Sequence, residues 1–207
     1  RFASDQGKGY AVAVIDSGAN LRHPDFASRI IYQYDFSKGD DNDATDFDGH
    51  GTHVAGTIVS NNGNYPGIAP KADLVVLKVF PDIGNFADAT DIVQALDWVL
   101  RNHEAYNIVA VNMSLGGGQF DNRAIYSGNY SGYLKALADS GVVVVSASGN
   151  SYAETFRTQS GVAYPSSDVN SLSIGATFAR QGESGGWNSN NQLIFDGKQT
   201  GVVDSIA

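Results

Sequence analysis

Cysteine is absent from the chain, which excludes disulfide frameworks, thiolate metal sites and cysteine nucleophiles together while leaving the compartment open. Basic residues are scarce. Thirteen stand against 22 acidic ones, a net charge of -9, and that field opposes sequence-independent binding to phosphate backbones or anionic lipid. Neither nucleic acid nor a membrane is therefore expected as a partner. No run approaches the roughly eighteen apolar residues of a membrane span. Charged residues make up only 17% and hydrophobic ones 42%, a globular composition without the charge density of a disordered or coiled-coil chain. A domain of 207 residues buries roughly 70% of its unfolded surface, so a real core is expected. The chain opens on Arg1-Phe2, with neither a methionine nor a signal-peptide pattern, and this start reads as processed or cut.

What the chain does contain is an alternation of two periods. The run 11–15, Ala-Val-Ala-Val-Ile, is short, β-branched and bounded by Gly9 and Gly18, as a strand buried on both faces should be. Runs 74–79, 108–113, 142–147 and 172–176 are of the same kind. Between them, Ile92, Val93, Leu96, Val99 and Leu100 form one helical stripe within 88–103, with Asp88 or Thr90 as its cap. Tyr133, Leu134, Leu137 and Ala138 mark a second helix, and Val54, Ala55, Ile58 and Val59 a third. The fold class is α/β: three layers, with a mostly parallel central sheet flanked by helices, and its ligand site at the carboxyl ends of the strands. There is no internal repeat and no linker, so residues 1–207 are expected to form a single domain. Segment 37–48 is an acidic loop and 181–199 a loop rich in Gly, Asn and Ser.

Polar residues placed directly after strands are the functional candidates. Asp16 follows the first strand, in Val14-Ile15-Asp16-Ser17-Gly18. His50 opens a helix, in Asp48-Gly49-His50-Gly51-Thr52-His53-Val54-Ala55-Gly56, and Asn150 ends Ala147-Ser148-Gly149-Asn150. A buried carboxylate on one imidazole nitrogen fixes the tautomer and stabilises the imidazolium, leaving the other nitrogen to take a proton from a nucleophile. Asp16 and His50 suit that pairing. A side-chain amide such as that of Asn150, donating into a water-poor cleft, suits an oxyanion hole.

These segments, together with Asn112-Met113-Ser114-Leu115-Gly116-Gly117, resemble in order the successive blocks of the subtilisin-like serine protease family. The resemblance runs over residues 7–176, and the nine-residue block 48–56 is its most specific part. It implies a subtilisin-like fold and an endopeptidase acting on polypeptide through an Asp-His-Ser triad, with Asp16 as orienting acid, His50 as general base and Asn150 as oxyanion donor. One such donor is worth about 2.7 to 4 kcal/mol, a magnitude carried over from subtilisin. Ser114, Leu115 and Gly116 on one side, and Ala147, Ser148 and Gly149 on the other, resemble the walls of the pocket for the residue before the cut. The backbone of 114–116 would pair with an extended peptide as an added strand. An exported location, a propeptide partner and calcium as a structural ion are further implications, although loop 57–70 is shorter than the family's calcium-bearing version.

One part of the family's pattern is missing. Its nucleophile is the serine of a Gly-Thr-Ser segment opening a later helix, and in this chain Gly51-Thr52 and Gly56-Thr57 are followed by His53 and Ile58. The chain is expected to be the N-terminal portion of a peptidase domain, truncated at its C-terminus, with exposed apolar surface near 172–176 where further elements pack. Gly182-Glu183-Ser184-Gly185-Gly186 formally fits a nucleophile elbow, but it lies in a glycine- and asparagine-rich loop without the strand and helix an elbow requires. Asp40, Asp41, Asp43, Asp46 and Asp48 read as a solvated loop, because an EF-hand starting at Asp41 needs glycine where Asp46 stands and glutamate where Thr52 stands. His53 stands three residues after His50 without the i, i+4 spacing and glutamate of a helical zinc motif, and is read as packing or structural. His23 and His103 are read as surface or structural, and Tyr126, Tyr130 and Tyr133 as packing residues. Gly116-Gly117-Gly118 does not open a dinucleotide-binding pattern.

Two other functions compete: a non-catalytic peptide-binding module that keeps the cleft without the nucleophile, and a nucleotide-binding α/β protein. The second predicts a rise in melting temperature with nucleotide. For the 207-residue chain, no acyl-enzyme is expected, since oxyanion stabilisation without a nucleophile leaves only residual catalysis. Incubation with a fluorophosphonate followed by mass spectrometry should find the chain unlabelled; stoichiometric labelling would contradict this.

Overall fold

The first strand in the sequence lies at the centre of the sheet. The computed structural model describes residues 5–37, 42–84, 86–120, 129–150 and 161–175, and the backbone of the short strands 185–187, 193–195 and 198–199. Ser184, Tyr126, Asp40, Asp41 and the final residues 200–207 lie outside the described residues. Strand β1 (Ala11–Asp16) is followed by β2 (Ile30–Asp35), helix α1 (His50–Val59), β3 (Asp73–Lys78), α2 (Ala89–Tyr106) and β4 (Ile108–Met113). Then come β5 (Gly117–Phe120), α3 (Ser131–Asp139), β6 (Val143–Ala147), β7 (Val162–Tyr164) and β8 (Leu172–Ile174). Six strands form one sheet in the order β2-β3-β1-β4-β6-β8, and all of its pairings are parallel. Strand order reverses between β1 and β4, which puts a crevice at the carboxyl ends of those two strands.

Side-chain alternation along the inner strands feeds two cores. Ala11, Ala13 and Ile15 of β1 and Val75 and Leu77 of β3 pack with Ile92, Ala95, Leu96 and Val99 of α2 and Leu134 and Leu137 of α3. Val14 of β1 and Leu74 and Val76 of β3 point to the other face, where Ala55 and Val59 of α1 cover them. Helices on both faces around an apolar parallel sheet are the three-layer α/β arrangement. The small stripe of α1, Gly51, Ala55 and Val59, lets that helix lie close to the sheet. Asp88 caps α2 by accepting from the Thr90 amide at 2.7 Å, and Asn107 closes it with φ 53°.

Segment 181–199, read as a loop, contains the short strands 185–187, 193–195 and 198–199, and a longer strand missed from sequence is β2, Ile-Ile-Tyr-Gln-Tyr-Asp. It is an edge strand, so its burial is partial and its apolar residues are interrupted by polar ones. The antiparallel pair of β5 and β7 was also not foreseen, because strands of four and three residues carry almost no period. At the opposite edge, Leu172 and Ile174 of β8 are 55% and 52% exposed, in line with the apolar surface expected there. Leu96 is fully buried between α2 and the sheet. Leu96→Ala should cost about 2–5 kcal/mol by denaturant unfolding, whereas Arg101→Ala, which removes an exposed ion pair with Asp97, should change stability by less than about 1 kcal/mol. Equal effects of the two substitutions would contradict the assigned core.

Candidate active site

Asp16 ends β1 and Ser114 follows β4, side by side at the strand-order reversal, since Val14 pairs with Asn112. Asp16 is 1% exposed. Its Oδ1 accepts from the Ser17 amide at 2.7 Å and lies 2.7 Å from His50 Nδ1. His50 is the first residue of α1, and its ring remains partly exposed beside a cavity of about 300 Å³ lined by Asp16, His50, Phe47, Phe80, Asp82 and Ser114 among others. With the carboxylate accepting, the ring proton belongs on Nδ1 and Nε2 is left as the basic nitrogen.

Close backbone approach makes this pairing possible. A Cβ on Gly51 would stand 2.1 Å from the Gly18 carbonyl oxygen and 3.1 Å from Asp16 Oδ1, so only glycine lets α1 begin this near to β1. The Gly51 amide donates to Ser17 Oγ at 2.9 Å, and Ser17 Oγ donates to Asp46 Oδ1 at 3.0 Å. Asp46 gathers the start of the helix: its carboxylate also accepts from the amides of Asp48, Gly49 and Thr52 and from the Thr52 hydroxyl. Partial burial alone would push the Asp46 carboxyl up. The bonds from Thr52, Gly49 and Asp48 outweigh it and hold the group below the ordinary aspartate range.

The other candidates fall on neighbouring loops. Ser114 Oγ accepts from Asn112 Nδ2 at 2.9 Å. Leu115 is buried and, with Gly116, lines a second cavity of about 410 Å³ that also includes Tyr130 and Tyr164. Phe80 borders both cavities. Ala147 ends β6, and the Ser148 amide donates to the Ile174 carbonyl. Gly149 has φ 96°, and a Cβ there would stand 2.9 Å from Ala163 Cβ. A Cβ on Gly116 would meet the same Ala163 at 3.0 Å, so the two glycine-bearing segments close on one side chain of β7. Asn150, just beyond Gly149, is exposed and lines neither of these cavities. The structure thus brings Asp16, His50 and Ser114 to one cavity and sets the 147–149 segment against β7.

Sequence reasoning overlooked Lys78, Phe80, Asp82 and Ala163, and it read Asp46 as part of a solvated loop, whereas the partly buried carboxylate is bonded to the start of α1. A lysine inside the apolar run 74–79 was the available sign for Lys78, and the position of an acid four residues before His50 was the sign for Asp46. His53 was read as packing or structural; it is exposed and does not pack into the core, because the buried stripe of α1 runs through Gly51, Ala55 and Val59. His23 stacks on Phe26 with ring centroids 4.6 Å apart, and His103 Nδ1 bonds the Leu100 carbonyl. Among the described residues no group of three His, Asp or Glu is placed to hold a metal ion, and no calcium site is assigned. Nor is any helix among them long and apolar enough to cross a membrane.

Comparison with known proteins gives a consistent result. The profile of the Subtilase family (Peptidase_S8) matches residues 7–202. The chain is 37% identical over 179 residues to a subtilisin of Bacillus sp. (strain TA39), covering 82% of this chain and 40% of that protein. It is 33% identical over 193 residues to an intracellular serine protease of Paenibacillus polymyxa, covering 91% and 56%. The solved structure of a psychrophilic protease, S41, superposes with a TM-score of 0.70 at 30% identity, covering 91% of this chain and 58% of that one. The chain therefore spans only about a third to just over half of the length of its curated relatives.

A depressed carboxyl stabilises the fold above its unfolded pKa of about 4, and the contribution disappears as pH falls through the lower folded value. Thermal melts from about pH 6 down to pH 2 should therefore show Asp46→Asn less stable at the upper end and converging with the parent chain in acid. A constant difference across that range would contradict the role given to Asp46.

Proposed function

The chain belongs to the subtilase family of serine proteases, and from that premise we propose that it supplies the acid, the base and the oxyanion amide of an endopeptidase site acting on polypeptide. One observation carries the proposal: His50 Nδ1 lies 2.7 Å from a buried Asp16 carboxylate at the carboxyl ends of the central strands. Sequence order, α1 geometry and the adjoining cavity support the same reading. No Gly-Thr-Ser segment occurs in the 207 residues, so the nucleophile hydroxyl is expected from the part of the relatives' length that this chain does not span. Residues 1–207 are read accordingly as one incomplete peptidase domain.

In this reading an extended substrate pairs with the backbone of Ser114, Leu115 and Gly116, and its side chain enters between that segment and Ala147, Ser148 and Gly149. Ala163 closes the far end. His50 Nε2 takes the hydroxyl proton as the oxygen attacks the peptide carbonyl, and Asp16 stabilises the imidazolium. Asn150 donates to the oxyanion. The imidazolium returns its proton to the leaving amine, and water, deprotonated by His50, then releases the acyl group. An exported location and interaction with a propeptide belong to the same proposal.

The test uses the coding sequence extended through its Gly-Thr-Ser segment. That longer protein should be labelled by a fluorophosphonate. Its kcat/KM should fall at least about 10³-fold in His50→Ala and about 10²–10³-fold in Asn150→Ala, magnitudes carried over from subtilisin. An extended protein that binds peptides yet is never labelled would favour the non-catalytic peptide-binding module instead.

A further inference from the structure

Lys78 is a lysine at 1% exposure, and a buried ammonium is costly unless every N–H finds an acceptor. It ends β3, in register with Asp16 of β1 on one side and Asp35 of β2 on the other. Its Nζ donates to the Ser17 carbonyl at 2.9 Å and the Thr45 carbonyl at 3.1 Å, and lies 3.2 Å from Asp82 Oδ1. Two carbonyls thus accept hydrogen bonds from the ammonium, and the Asp82 carboxylate adds an ion pair. The Phe47 ring centroid is 5.6 Å from the same nitrogen, within the range of a cation–π contact.

Ser17 and Asp82 line the cavity beside His50, and Thr45 leads into the Phe47–Asp48 part of its wall. Ser17 continues the strand that carries Asp16. Thr45 begins the turn that leads through Asp46, Phe47 and Asp48 to the start of α1, and Asp82 stands on the 80–84 segment opposite. The effect of the lysine reaches His50 through Ser17, whose hydroxyl accepts from the Gly51 amide and donates to Asp46. A hydrophobic side chain of similar length could fill the space, but it would leave the Ser17 and Thr45 carbonyls facing no cation, and the 45–48 turn would be tied to the end of β1 only through Ala19 and the Ser17–Asp46 bond.

We propose that Lys78 is a positioning residue: its ammonium fixes the Asp16 strand end, the turn before α1 and the 80–84 rim relative to one another, and so holds His50 on Asp16. The inference rests on the reading of Asp16 and His50 as the working pair. Its readout is independent of peptide cleavage, so the two can fail separately.

The measurement is exchange with water of the low-field proton on His50 Nδ1, followed by NMR in the 207-residue chain. Lys78→Met, with far-UV circular dichroism and a cooperative melt retained, should exchange that proton about tenfold faster or more, and Lys78→Arg should restore most of the protection. A folded Lys78→Met chain with unchanged exchange overturns the proposal, as does a folded Lys78→Arg chain that exchanges as fast as Lys78→Met. If Lys78→Met does not fold, Asp82→Asn decides: it alters only the partly exposed partner and should speed exchange about threefold, and no change there overturns the proposal.

Discussion

The contact between Asp16 Oδ1 and His50 Nδ1, 2.7 Å, is the constraint around which the rest is built. It requires a carboxylate at the end of the central strand and a helix that starts almost on top of it. The helix can start there because Gly51 brings no Cβ against the Gly18 carbonyl, and because Ala55 and Val59 continue a stripe small enough for α1 to lie on Val14, Leu74 and Val76. A parallel sheet with a reversal of strand order between β1 and β4 opens the crevice at this point. Chemistry and packing therefore share one set of residues.

Charge organisation explains why such an acidic chain tolerates so many carboxylates in one region. Asp16 and Asp35 are buried at adjacent strand ends with Lys78 between them. Asp46 is surrounded by donors from the Thr52 hydroxyl and from backbone amides, and Asp82 is paired with the lysine. Oδ1 of Asp16 accepts from the Ser17 amide, and Oδ1 of Asp35 from the amide and hydroxyl of Ser37. The result is a cleft whose polar walls are tied together underneath while its mouth, at Phe47 and His50, stays open to solvent.

Much of the fold is legible in the sequence, and for a physical reason. Strands covered on both faces must be apolar throughout, so β1, β3, β4 and β6 are visible as runs, and α2 as a stripe with a capping aspartate. The edge strand β2 is hidden because half of its surface faces solvent, and β7 because three residues carry no period. At the site, Asp16, His50 and Ser114 are legible as polar residues directly after strands or at a helix start, and block order names the family. Lys78, Asp82 and Ala163 are not, because their roles depend on approaches between segments far apart in sequence: Gly116 and Gly149 meet at Ala163, and Lys78 reaches Thr45 across 33 positions. No pattern along one strand encodes such a meeting.

The account stands most directly on which nitrogen of His50 carries the proton. A nitrogen-15 imidazole spectrum of the selectively labelled chain, recorded where the ring is neutral, reads the tautomer without reference to any substrate. The prediction is a protonated Nδ1 held by Asp16 and an unprotonated Nε2, with the preference lost in Asp16→Ala. A ring protonated on Nε2 in the parent chain, or one whose tautomer does not respond to Asp16→Ala, would contradict the pairing on which the proposed chemistry depends.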